Sequence, residues 1–144
     1  MKLGQIPEYL EGLNPEQLEA VCYEGNRLLI LAGAGTGKTR VITTKIAHLV
    51  KQGKVLPESI LAVTFTNKAA NEMRERAMAI EPYCERAIIR TFHSFGAWFM
   101  RRNAKAFDLR SEFTIYDEDD SAELVHSIFP AFNKRDCGDY AFLI

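Results

Sequence analysis

Residues Ala32-Gly33-Ala34-Gly35-Thr36-Gly37-Lys38-Thr39 follow the apolar run Leu28-Leu29-Ile30-Leu31 and precede a helical pattern of residues. Three closely spaced glycines let the backbone curl so that successive N–H groups point inward at an anion. The helix that follows adds its dipole and its unpaired amides at the same place. Lys38 is then placed to reach the β- and γ-phosphates of a bound nucleotide, and the Thr39 hydroxyl to hold Mg²⁺. The strict pattern opens with Gly where Ala32 stands, and Ala is tolerated there if its φ stays negative. The candidate phosphate contacts are therefore Gly33, Ala34, Gly35, Thr36, Gly37, Lys38 and Thr39, with Lys38 and Thr39 in the catalytic role. The plain alternative is a glycine-rich strand-to-helix turn that binds nothing.

At 144 residues, 47% apolar and 26% charged, the chain has an ordinary globular composition. A chain of this length buries about two thirds of its unfolded surface. The net charge of −1 does not announce a nucleic-acid binder, but it averages over two unlike segments. Residues 67–110 carry nine Lys/Arg against five Asp/Glu, a net of +4, whereas residues 111–129 carry six acids and no Lys/Arg, a net of −6. Cys22, Cys84 and Cys137 are odd in number and far apart, and His48, His93 and His126 are scattered, so neither a disulfide framework nor a zinc site is indicated. Neither an N-terminal signal peptide nor an apolar run near 18 residues is present, which reads as a cytoplasmic chain.

Strand and helix patterns alternate. Asn14-Pro15-Glu16-Gln17 is a helix start, with Asn as N-cap, Pro at the first position and Gln at the third. That helix is predicted to reach Tyr23. Arg27–Leu31 reads as a buried strand. Val41, Ile42, Ile46, Leu49 and Val50 recur at helical spacing up to Gly53. Ile60–Phe65 reads as a second strand, Asn67–Ile80 as a helix capped by Asn67, and Ala87–Ile89 as a third strand. Ser94–Ala106 is predicted helical with an aromatic face of Phe95, Trp98 and Phe99. Phe113–Tyr116 is a candidate fourth strand, before an acidic-fronted helix that Asp117 caps and that ends before Pro130. This alternation predicts an α/β fold with a parallel sheet and helices on both faces. Lys134–Ile144 lacks periodicity, and its apolar end reads as a cut inside a larger fold.

The phosphate loop with Arg40 stands in order with three further segments. Upstream is Leu13-Asn14-Pro15-Glu16-Gln17-Leu18-Glu19-Ala20-Val21. Downstream are Thr64-Phe65-Thr66-Asn67-Lys68-Ala69-Ala70-Asn71-Glu72-Met73 and Arg90-Thr91-Phe92-His93-Ser94-Phe95. In this combination the chain resembles the N-terminal part of superfamily 1A DNA helicases of the UvrD/Rep type, from about Leu13 to about Phe129. The resemblance implies an incomplete P-loop NTPase (RecA-like) motor domain over residues 1–110 and the start of an inserted helical subdomain over 111–144. It implies that Gln17 reads the adenine edge, a task suited to an amide that donates and accepts together, and that Arg40 packs near the base. It implies that Phe65 stacks on a base of single-stranded DNA while Thr66 and Asn67 bond the sugar–phosphate. Base stacking is worth about 1–3 kcal/mol per base and tolerates any sequence, as a moving motor requires. Thr91, His93 and Ser94 match the next DNA-contacting motif, and the family moves 3′ to 5′.

Hydrolysis needs more: a second-strand carboxylate for Mg²⁺, a group that orients water, and an arginine finger. The family draws these from an Asp-Glu motif, a later Gln and the arginines of a second motor domain, none recognisable here. Phe113-Thr114-Ile115-Tyr116-Asp117-Glu118 mimics a strand ending in Asp-Glu, but Asp117-Glu118-Asp119-Asp120 reads better as an N-cap with an acidic first turn. The expectation is an ATP-binding helicase fragment that does not unwind alone. Two alternatives are the motor part of a recombination helicase–nuclease and a self-contained small P-loop NTPase or kinase using Asp117.

Overall fold

The computed structural model describes residues 6–131, 133, 136 and 137. The expectations for Lys134–Ile144 lie almost wholly outside them. Its contacts group into two compact units, Met1–Phe95 and Gly96–Ile144. The first unit holds helices α1 (Pro15–Cys22), α2 (Lys38–Lys51) and α3 (Asn67–Ile80), strands β1 (Leu61–Thr64) and β2 (Ile88–Thr91), and the start of α4 (Phe92–Arg102). The second holds the rest of α4 and α5 (Glu118–Ile128).

Local chemistry sets most helix boundaries. Asn14 Oδ1 accepts from the Gln17 amide at 2.8 Å, and Gln17 Oε1 takes the Asn14 amide at 3.1 Å, a complete capping box. Helix α2 stops where Gly53 turns left-handed (φ 66°), its amide bonded to the Val50 carbonyl. The cap of α3 is Thr66, whose Oγ1 accepts from the Ala69 amide at 3.1 Å. Asn67, expected as the cap, is instead the first helical residue. Asp117 caps α5 through the Asp120 amide at 2.8 Å, and Asp120 returns the bond. The helix expected over Ser94–Ala106 begins two residues earlier, directly off β2, and breaks at Asn103. There the Asn103 side chain donates to the Phe99 carbonyl at 2.8 Å, and a short 3₁₀ turn, Ala104–Phe107, follows.

β1 and β2 pair in parallel with Leu61 opposite Ile88 and Thr64 opposite Thr91. Helices α2 and α3 cover one face, where Ala62 and Ile89 join Ile46, Ala47, Ala70, Met73, Ala77 and Cys84 in the core. The small residues on α3 allow close approach of helix to sheet, and the buried Cys84 packs as a small hydrophobe, its thiol pKa raised by burial and by Glu81. Leu61 and Val63 on the opposite face stay exposed, so among the described residues of this unit helices cover one face and not the expected two.

Two expected strands do not form. Exposure along Leu28, Leu29, Ile30 and Leu31 alternates at 43, 81, 37 and 86%, the period of a strand, yet the segment has no ladder. Phe113–Tyr116 is likewise irregular, with Ile115 and Tyr116 exposed. An apolar run carries the propensity for a strand, but the hydrogen bonds of a ladder need a neighbouring strand, and among the described residues β1 and β2 form the only pair. No helix of the described residues is long and apolar enough to cross a membrane.

Truncating the buried Met73 to Ala should destabilise the chain by about 2–5 kcal/mol in urea unfolding. A second core joins Leu10, Val21 and Val41, and at its margin the Tyr9 hydroxyl and His48 Nδ1 are hydrogen-bonded at 2.9 Å. Burial, then Lys54 and Lys45, lower the His48 pKa from its ordinary 6.5. The unfolded chain therefore takes up that proton at higher pH than the native one. Stability from neutral His48 is complete above pH 6.5 and is lost as pH falls through the lower native value. Thermal melts from pH 7.5 to 5 should record that decline, and His48→Asn should flatten it.

Candidate functional site

The glycine loop takes the shape its sequence predicts. Gly35 and Gly37 have φ of 75° and 86°, a conformation that an L side chain strains to adopt. The Thr36 hydroxyl donates to the Gly33 carbonyl at 2.8 Å and braces the curl from inside. Lys38 is the first residue of α2, and its Nζ donates to the carbonyls of Ala32 (2.8 Å) and Gly33. The cation thus lies across the mouth of the loop, held by acceptors it can exchange for phosphate oxygens.

Helix α2 differs from α1, α3 and α5 in its start. Those three carry side-chain caps, whereas α2 begins on Gly37 with no side-chain cap. Its first amides thus lack a side-chain acceptor, the situation in which a helix N-terminus favours an anion. Thr39 is exposed, with its backbone carbonyl taking the Thr43 hydroxyl at 2.9 Å. Among the described residues no group of three His, Cys, Asp or Glu is arranged to hold a metal ion. A divalent cation here would rest on the Thr39 hydroxyl and on phosphate oxygens, the hard oxygen set that suits Mg²⁺.

Gln17 does more than cap its helix. Its Nε2 donates to the Thr36 carbonyl at 3.0 Å, tying α1 to the phosphate loop. A Cβ at Gly37 would come within 2.9 Å of that nitrogen, so this glycine answers to both its φ and its neighbour. The Arg40 guanidinium donates to the Glu11 carbonyl at 3.3 Å. It borders a cavity of about 450 Å³ lined also by Tyr9, Thr43 and Arg76, which none of the other expected nucleotide contacts lines.

The second set of predicted residues gathers at the C-terminal ends of the two strands. Because Thr64 pairs with Thr91, the next residues, Phe65 and Phe92, leave adjacent strands side by side. Phe65 is 97% exposed and Phe92 is 70% exposed. An aromatic ring as exposed as that of Phe65 is unusual for a core residue, and Phe65 does not merely finish a core strand. Thr66 is committed to capping α3, and Asn67 beside it is exposed. Thr91 is buried; its Oγ1 accepts from the Ser94 amide at 3.1 Å, and the Ser94 hydroxyl donates to the Thr91 carbonyl at 3.2 Å. These bonds turn the chain from β2 into α4 and present His93, which meets the Phe92 ring edge-on at 6.3 Å. Phe92 was not singled out from sequence, although Thr64-Phe65 and Thr91-Phe92 repeat one dipeptide at two strand ends. Arg74 holds α3 against this corner by donating to the Ile89 carbonyl at 2.6 Å. Asp117 is occupied as a helix cap.

A family model described as the UvrD/REP helicase N-terminal domain matches residues 13–140. Curated relatives include the ATP-dependent DNA helicase UvrD1 of Mycobacterium bovis, 47% identical over 123 residues, which are 84% of this chain and 16% of the relative. The probable DNA helicase II homolog of Rickettsia conorii is 45% identical over 126 residues, 86% of this chain and 19% of the relative. The ATP-dependent DNA helicase PcrA of Leuconostoc citreum is 45% identical over 124 residues, 85% and 17% of the two chains. The chain thus spans less than a fifth of these relatives. With the match running from the Asn14 cap through the phosphate loop and both strand ends, the chain belongs to the UvrD/REP helicase N-terminal domain family.

Proposed function

We propose that this chain is the ATP-binding N-terminal portion of an ATP-dependent DNA helicase that translocates 3′ to 5′ on single-stranded DNA. Residues 1–110 form the early part of a P-loop NTPase (RecA-like) motor domain, and 111–144 open an inserted helical subdomain. The observation that carries the reading is the uncapped start of α2 beneath Gly35 and Gly37, with Lys38 across its mouth. The relatives named as ATP-dependent DNA helicases support it.

On this reading the loop amides and Lys38 bind the β- and γ-phosphates, Lys38 leaving the Ala32 and Gly33 carbonyls as they arrive. Thr39 holds Mg²⁺, which when bound neutralises phosphate charge. Gln17 retains what adenine needs. An amide has two N–H donors and two lone pairs on oxygen. One donor goes to Thr36 and one lone pair to Asn14, leaving one of each for the base. Arg40, now bonded to Glu11, packs near that base. Phe65 stacks on a base, Thr66 and Asn67 sit beside the sugar–phosphate, and Thr91 holds the turn that presents His93 to the strand. Both sites lie in one unit, on loops joined by the core of α2, α3 and the two strands. Unwinding needs the carboxylates, glutamine and arginines of the remaining motor, including a second motor domain.

Lys38→Ala should abolish binding of Mg·ATP by the 144-residue chain, and unchanged affinity in calorimetry refutes the nucleotide site. Phe65→Ala should weaken binding of a single-stranded oligonucleotide by about 5- to 150-fold, the equivalent of one stacked base, while leaving ATP affinity unchanged. The chain alone should bind ATP without turning it over, with or without DNA. Turnover lost in Asp117→Asn would instead establish a self-contained NTPase.

A further inference from the structure

Helix α1 is short, eight residues or about 12 Å, and its place against α2 decides where Gln17 stands. Three points fix it. At its start, Gln17 Nε2 reaches the Thr36 carbonyl over Gly37. One turn on, Val21 is fully buried in the same core cluster as Val41. At its end, Lys45 Nζ donates to the carbonyls of Ala20 (3.1 Å), Val21 (3.1 Å) and Tyr23 (2.7 Å). On α2 the matching residues are 37, 41 and 45, one per turn on a single face, and on α1 they begin with 17 and 21.

The three contacts are not equivalent. The Val21–Val41 contact is apolar and non-directional, so it holds the helices together without setting their slide or rotation. A lysine ammonium has three donors, and here all three meet carbonyls at the end of α1. Those carbonyls are the ones a helix leaves without internal partners, at the end where its dipole favours a cation. The ammonium also lies 6.0 Å from the centre of the Tyr23 ring. Burial lowers the pKa of Lys45, in keeping with an ammonium whose hydration has been replaced by carbonyl oxygens.

We propose that Lys45 is a positioning residue for base recognition. By gripping the last carbonyls of α1 it sets the register of that helix along α2, and with it the position of the Gln17 amide beside the phosphate loop. Lys45 itself touches neither base nor phosphate; its effect on binding is transmitted through α1. The proposal rests on Gln17 as the adenine contact.

The test compares binding of Mg·ATP, Mg·GTP and Mg·tripolyphosphate to the 144-residue chain by calorimetry, in wild type, Gln17→Ala, Lys45→Met and Lys45→Arg. Circular dichroism melts establish that each variant is folded at the assay temperature. Wild type should prefer ATP to GTP. Lys45→Met should weaken ATP by about tenfold, the equivalent of one or two lost hydrogen bonds, and erase the preference. Its tripolyphosphate affinity should stay within about twofold, and Lys45→Arg should restore the preference. Should Lys45→Met not fold, Lys45→Gln, which keeps a donor amide but no charge, should give the same loss in smaller measure. Equal weakening of ATP and tripolyphosphate would overturn the proposal in favour of a purely structural lysine. An ATP preference lost in Gln17→Ala but kept in Lys45→Met would overturn the proposal alone. A wild-type chain with no preference would remove the Gln17 reading and the proposal with it.

Discussion

A helix N-terminus leaves four amide donors without intrahelical acceptors, and at α1, α3 and α5 an oxygen of Asn14, Thr66 or Asp117 takes one of them. Helix α2 has no such oxygen, because the residue in that position is Gly37 in a left-handed conformation. A serine or aspartate there would strain the left-handed backbone, and its Cβ would lie 2.9 Å from the Gln17 amide nitrogen, which would have to shift. The arrangement around the loop goes with that missing cap. Gly35 and Gly37 turn the chain, Thr36 braces it, Lys38 spans its mouth, and α1 is drawn in through Gln17.

The other site depends on register. Parallel pairing of Thr64 with Thr91 brings two strand ends, far apart in the chain, to the same edge. The turns that leave those ends are closed by the residues themselves: Thr66 starts α3, and Thr91 with Ser94 starts α4. Polar groups that the family resemblance assigns to DNA therefore already serve the backbone. The aromatic rings of Phe65 and Phe92, which have no such duty, stand in solvent. A division of labour results, in which threonines shape the corner and the rings stay exposed.

Much of this was legible before any coordinates. The capping box of Asn14 and Gln17, the curl of the glycine loop, the stop of α2 at Gly53 and the cap at Asp117 are each made within a few residues, so a linear reading finds them. Structure departs from local pattern where a tertiary partner decides. Leu28–Leu31 has strand composition and strand periodicity but no ladder, and Phe113–Tyr116 has no ladder and leaves Ile115 and Tyr116 exposed. The predicted helix over Ser94–Ala106 overran Asn103, whose side chain competes for the Phe99 carbonyl. The bond from Arg40 to the Glu11 carbonyl, across 29 positions, is a separate long-range contact that no local pattern contains.

The sequence by itself determined the conformations that depend on a residue and its next four neighbours: left-handed glycines, side-chain caps and the bare start of α2. Tertiary structure alone decided which apolar runs became strands, that Phe92 stands beside Phe65, and that Lys45 closes the far end of α1. The physical reason is the range of the interaction. A cap or a positive φ is set by local sterics and a hydrogen bond across three or four residues. A ladder, or a lysine on carbonyls 22 to 25 positions away, exists only once distant segments have packed.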